Sequence, residues 1–138
     1  MSSEVSAPTG TLTLVFSDIQ GSTVLWEHFD SDFKVILDLH NRLIRESIEH
    51  FHGYEVKTEG DAFMVAFQDA VEAVEFCIDV QLKLYDADWP EALLNTDSLQ
   101  SLSGVTEDGC FRGIRVRIGA HSGEPEVQPD PTTGRTDY

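Results

Sequence analysis

The sequence predicts an α+β domain in which an antiparallel sheet carries its helices on one face. Three observations predict it. Four short runs with the period or composition of strands lie at 11–16, 54–57, 62–67 and 113–120. Two long runs with three- and four-residue apolar steps separate the first strand from the second and the third from the fourth. A glycine-containing turn joins the middle two. Strand, helix, strand, strand, helix, strand is the split βαββαβ order of the ferredoxin-like class.

The elements follow in order. Residues 1–10 are small and polar, with Pro8 and Gly10, and read as a flexible leader. Thr11 to Phe16 (TLTLVF) is β-branched and apolar, a buried strand that ends abruptly at Ser17-Asp18. Gln20-Gly21-Ser22-Thr23 supplies a glycine turn with Ser and Thr as candidate caps for a short helix through Val24, Leu25, Trp26 and Phe29. Phe33, Ile36, Leu37, His40, Leu43, Ile44, Ile48 and Phe51 then define a long amphipathic helix that stops before Gly53. Tyr54 to Lys57 alternates, Thr58-Glu59-Gly60-Asp61 turns, and Ala62 to Phe67 (AFMVAF) returns as an apolar strand.

From a capping Asp69, the residues Ala70, Val71, Val74, Phe76, Cys77, Val80, Leu82 and Leu84 sketch a second long helix, with Pro90 beyond its end. Residues 86–112 lose periodicity and read as a long loop or insertion. Gly113 to Ala120 (GIRVRIGA) sets Ile114, Val116 and Ile118 on one face against Arg115 and Arg117 on the other, a fourth strand. His121 to Tyr138 carries three prolines and few large apolar residues, and reads as a loop in a domain left incomplete at its C-terminal end. The expected organisation is a leader over 1–10 and one domain over 11–138.

Composition narrows the function classes. The 25 Asp and Glu against 9 Lys and Arg give a formal charge of −16, which repels nucleic-acid backbones and anionic lipid, so no nucleic-acid partner is expected. The same sign repels any phosphorylated small molecule, so a site for one needs divalent cations, a few lysines or aimed backbone amides. Cys77 and Cys110 make no C-x-x-C and indicate neither a zinc site nor a disulfide framework, which fits a reducing, cytoplasmic setting. No apolar run reaches the ~20 residues of a spanning helix.

Asp18 follows the first strand and Asp61 sits at the hairpin turn. In a βαββαβ sheet the first strand lies beside the strand after that hairpin, so the two carboxylates can meet. Each has a plainer reading as a turn or cap aspartate. Together, beside a loop that opens a helix with outward amides, they have the hard-oxygen character of a Mg²⁺ site. A pair of such ions ~3.5–4 Å apart would activate an attacking hydroxyl and stabilise a leaving group.

The runs Phe16 to Thr23 (FSDIQGST), Tyr54 to Met64 (YEVKTEGDAFM) and Gly113 to Gly123 (GIRVRIGAHSG), with the closing Asp137-Tyr138, resemble the class III adenylate and guanylate cyclase catalytic domain. The likeness runs from about Thr11 to Tyr138. Fungal and trypanosomatid adenylate cyclases resemble it most, sharing the helix end Gln81-Leu82-Lys83-Leu84 and the step Asp88-Trp89-Pro90. The resemblance implies that Asp18 and Asp61, with the Ile19 carbonyl, bind two Mg²⁺ or Mn²⁺ ions as the catalytic centre. It implies that Gln20, Gly21, Ser22 and Thr23 hold the β- and γ-phosphates of ATP.

The resemblance implies that base choice is carried by Lys57, where guanylate cyclases have glutamate, and by Asp137, where they usually have cysteine. Adenine offers an acceptor at N1 and a donor at N6, which suits a lysine donor and a carboxylate acceptor, and a mismatched base leaves buried polar groups unpaired. Conversion of ATP to cyclic AMP is therefore expected, with guanylate cyclase as the near alternative and a silent nucleotide-binding or dimerisation module as the other. His121 reads as structural rather than as a base. Arg115 and Arg117 read as lining a sheet surface or dimer contact, and His28, His40, His50 and His52 show no ligand spacing.

The family carries an Asn and an Arg in an N-x-x-A-R run after the D-Y step, beyond Tyr138, and losing such donors costs ~2.7–4 kcal/mol of barrier each. The 138 residues alone are thus expected to be inactive or nearly so. The resemblance further implies a head-to-tail homodimer with shared sites, and membrane attachment, if any, through other regions.

Overall fold

A computed structural model describes residues 5–94 and 112–138. The elements are β1 (Leu12–Ile19), α1 (Ser22–Phe29), α2 (Asp32–His50), β2 (Tyr54–Glu59), β3 (Ala62–Phe67), α3 (Ala70–Asp86), α4 (Glu91–Leu94), β4 (Val116–Gly123), β5 (Gln128–Pro129) and β6 (Thr136–Asp137). Four strands form one sheet in the order β2-β3-β1-β4, antiparallel at each pairing, which is the predicted βαββαβ topology.

Alternation along the strands sorts the two faces of the sheet. Val15 and Ile19 of β1, Phe63, Val65 and Phe67 of β3, and Val116 of β4 join the core formed with the helices. Opposite them stand Leu25 and Phe29 of α1, Phe33, Ile36, Ile44 and Ile48 of α2, and Phe76, Val80 and Leu84 of α3. Ser47 of α2 donates to Asp79 of α3 at 2.7 Å, and Lys83 pairs with the same carboxylate at 3.2 Å, so the two helices also share a polar bridge. The far face holds a smaller cluster of Val56, Met64 and Ala66, packed by Leu14, Tyr54 and Tyr138.

Several expectations need correction. The fourth strand starts at Val116 and continues to Gly123, three residues later than alternation suggests. Gly113 adopts φ +88 against the indole of Trp89, and this bend delays the strand while Ile114 stays buried. Neither Ser22 nor Thr23 caps α1, because Gly21 occupies the cap position at φ 68 without a side-chain bond. Asp69 does cap α3, accepting from the Val71 amide at 2.8 Å.

α3 extends to Asp86, and α4 lies inside the stretch 86–112 read as a long loop or insertion, of which 95–111 lie outside the described residues. The tail is not only loop, since β5 and β6 pair as a small hairpin. The stretch before β1 is held to the fold: Gln68 accepts from the Thr9 amide and donates to the Thr9 and Thr11 carbonyls, and Tyr138 donates to the Pro8 carbonyl at 2.7 Å. Of the apolar residues that marked α3, Val71, Val74 and Leu82 are exposed along with Ile78, a second stripe that faces away from the core.

Gly113 and Gly134 test the bend. A Cβ at Gly113 would meet the Trp89 indole at 2.2 Å, whereas one at Gly134, φ +73, meets nothing within 4 Å. Gly134→Ala should cost ~1 kcal/mol from the left-handed backbone alone. Gly113→Ala should cost ~2–4 kcal/mol, because the buried indole must also move. Urea unfolding of the two variants should show that difference, and equal costs would refute the packing account.

Candidate functional site

Both predicted carboxylates stand near the end of β1, Asp18 on the strand and Asp61 at the hairpin turn beside it. Antiparallel register pairs Ser17 with Phe63, and continuing it by two residues sets Ile19 opposite Asp61 at the hairpin turn. The Ile19 amide donates to Asp61 Oδ2 at 2.7 Å, so a carboxylate replaces the backbone carbonyl that would otherwise extend the ladder. Gly60, at φ +60, supplies the turn conformation that places Asp61 there.

Asp18 is the residue before Ile19 and pairs in register with Arg117 of β4. Arg117 donates to both its oxygens, Nε to Oδ1 and Nη2 to Oδ2, each at 2.8 Å. Asp18 raises the pKa of Arg117 through these bonds and its charge, with a smaller contribution from Asp61. Two hard oxygen donors, one of them already answered by a cation, fit the donor chemistry of a divalent ion. A cleft of about 420 Å³ lies alongside, walled by Phe16, Ala62, Arg117 and Gly119.

The loop after β1 turns sharply at Gly21 and opens directly into α1. The Gln20 amide donates to the Arg115 carbonyl at 2.8 Å and is thereby committed to the sheet. The amides of the first turn of α1, including those of Ser22 and Thr23, have no partner within the helix by its geometry and point outward.

Lys57 and Asp137 come together elsewhere. Lys57 Nζ donates to Asp137 Oδ2 at 3.3 Å, both side chains partly shielded. The tail hairpin is set down on β2 by Arg135, whose Nε and Nη2 donate to the Glu55 carbonyl and whose guanidinium lies 4.4 Å over the Tyr54 ring. The Tyr54 hydroxyl accepts from the Thr136 amide at 3.2 Å. Lys57 stands on β2, with Asp137 of β6 against it, and β2 is separated from β1 by β3, about 10 Å across the sheet at the usual strand spacing. The predicted residues therefore form two groups within one chain rather than one.

Arg117 and the positioning pair Arg135 and Tyr54 were not legible as site residues. The signal for Arg117 was available in principle, because antiparallel pairing of the first and fourth strands sets it against Asp18. His121 is exposed and pairs with Leu14, four residues up β1 from Asp18, away from both carboxylates. Among the described residues no group of three or more His, Cys, Asp or Glu stands together. None of the described helices is long and apolar enough to cross a membrane.

The family model for the adenylate and guanylate cyclase catalytic domain matches residues 4–128. The chain is 44% identical over 138 residues to an adenylate cyclase of Neurospora crassa and 41% identical over 138 residues to one of Schizosaccharomyces pombe. It is covered in full in both cases and spans 6% and 8% of those proteins. A solved adenylate cyclase structure from Trypanosoma brucei, in its monomeric state, superposes with a TM-score of 0.84 at 30% identity, over 96% of this chain and 63% of that one.

Behind the hairpin lies His40, fully buried on α2 with its ring edge-on to Phe63 at 5.9 Å and Nδ1 bonded to Asn41 Oδ1 at 2.8 Å. Burial lowers its pKa, against smaller opposing effects from the Asn41 bond and the Asp61 charge. The unfolded chain thus takes up this proton near ~6.5, before the folded chain does. The stability His40 contributes is present above that pH and is lost as pH falls through it toward the folded value. The urea unfolding free energy should fall from pH 7 to pH 5.5, and His40→Gln should flatten that slope; parallel curves for the two proteins would refute it.

Proposed function

Because this chain belongs to the adenylate and guanylate cyclase catalytic domain family, we propose that it is the catalytic domain of an adenylate cyclase, which closes ATP into 3′,5′-cyclic AMP and pyrophosphate. The 3′-oxygen forms a bond to the α-phosphorus, the bond from that phosphorus to the bridging oxygen of the β-phosphate breaks, and the 3′-hydroxyl proton is given up. The observation that carries the choice of base is the Lys57–Asp137 pair. A lysine donor and a carboxylate acceptor held together match the N1 acceptor and N6 donor of adenine. Without a base they satisfy each other, so neither is left unpaired.

Asp18, Asp61 and the Ile19 carbonyl would hold two divalent ions, Mg²⁺ or Mn²⁺. Such ions supply Lewis-acid activation of the hydroxyl and charge neutralisation on the leaving phosphates. The chain's own task at this end is to keep both carboxylates converged, which the Ile19 amide supports through Asp61. Gly21, Ser22 and Thr23, with Gln20 shaping the turn, would direct the helix-start amides and the Thr23 hydroxyl at the β- and γ-phosphates. That answers the long-range repulsion set by a formal charge of −16.

The separation of the carboxylate end from Lys57 and Asp137 supports a site completed by a second copy in a head-to-tail homodimer. One copy would give the ion-binding carboxylates and the other the base-reading pair. Cytosolic placement, where ATP is available, follows from this reading. The chain covers 63% of the solved Trypanosoma brucei cyclase structure, so turnover is measured on a protein extended to the remainder of that fold.

Two experiments on that extended protein test this. Asp18→Ala should lower cyclic AMP formation with Mn²⁺ by about 100-fold or more while the far-ultraviolet circular dichroism stays unchanged; retained turnover would sink the carboxylate assignment. Lys57→Glu combined with Asp137→Cys should move the ratio of kcat/KM for ATP over GTP toward GTP by about 100-fold. An unmoved ratio would remove the pair from base recognition.

A further inference from the structure

We propose that Arg117 is the built-in counter-ion of the carboxylate site: it holds Asp18 when no divalent cation is present, and an incoming cation must displace it. The inference rests on the reading of Asp18 and Asp61 as ion ligands and adds to it a residue that the reading leaves on the sheet surface. The contact uses both guanidinium donors and both carboxylate oxygens at 2.8 Å. This fork-to-fork geometry fixes orientation as well as charge. It occupies the same oxygens that a divalent cation would need.

The pairing is enforced by register, because Arg117 and Asp18 are direct partners on β4 and β1. The Asp61 carboxylate faces no such partner in its strand ladder; one of its oxygens takes the Ile19 amide instead. The two ligands thus start from different states, one neutralised by a displaceable cation and one anchored to backbone. The pair is open to solvent, 65% and 40% exposed, so it exchanges readily and its strength is that of a surface ion pair. Breaking it should therefore change cation affinity by a small factor, about two- to fivefold. Its consequence is that the site carries less bare negative charge before loading than its carboxylates alone would give, in a protein that already holds 25 of them.

The test is equilibrium Mn²⁺ binding to the nucleotide-free protein, followed by the electron paramagnetic resonance signal of free Mn²⁺. Arg117→Gln should bind Mn²⁺ about two- to fivefold more tightly than the unaltered chain, and Asp18→Asn in the Arg117→Gln background should abolish the gain. Arg117→Lys keeps the charge and loses the fork, and should recover at least half of the gain. Equal or weaker binding by Arg117→Gln overturns the proposal. So does a gain in Arg117→Gln with none in Arg117→Lys, which would reflect only the removed charge. If Mn²⁺ binding in all of these proteins is indifferent to Asp18→Asn and Asp61→Asn, the ion-site reading itself fails, an outcome distinct from failure of the exchange.

Discussion

The two-sided pairing of β1 is the constraint from which the rest of this domain follows. β1 lies between β3 and β4 and is antiparallel to both, so Thr13 to Ser17 have a fixed neighbour on each side and Asp18 and Ile19 have theirs on β4. Because pairing register is locked by which face is buried, the packing of Val15 and Ile19 under the helices simultaneously decides what stands beside Asp18. A slip of one residue would send Asp18 to the core and expose Ile19. The apolar core and the carboxylate site are thus two readings of one register.

Electrostatics then shape what an acidic chain does with its few cations. Arg117 sits on Asp18, Lys57 on Asp137, Arg45 on Glu55, and Arg135 over Tyr54. The first two of these pairs hold residues assigned here to ligand binding. Such exposed or half-exposed pairs contribute little to folding. For the first two, the value is in placement: each sets a side chain proposed for ligand binding beside a partner while it has nothing to bind.

Period and turn chemistry made most of the sheet and both long helices readable, because Phe33 to Phe51 and Ala62 to Phe67 repeat as their elements require. The departures have local causes. Alternation continues through Gly113 to Arg115, yet contact with Trp89 bends the chain there, and no pattern within the strand records a distant indole. α3 carries two apolar stripes, and a list of apolar positions does not say which one faces the sheet. β5 and β6 are two residues each, too short to have a period. The placement of Asp18 near a strand end and of Asp61 at a hairpin turn was legible. Their partners were not, because the Ile19 amide and Arg117 are assigned by pairing across strands rather than by sequence neighbours.

The hydrogen bond from Tyr138 to the Pro8 carbonyl has a mechanical meaning. Tyr138 follows Asp137 directly, and its own amide donates to the Asp137 carboxylate at 2.8 Å. Pro8 leads within a few residues into β1, the strand that carries Asp18. The segment leading into β1 and the segment around Tyr138 are therefore clamped side by side. One tyrosine thus ties the approach to the strand of Asp18 to the carboxylate that faces Lys57.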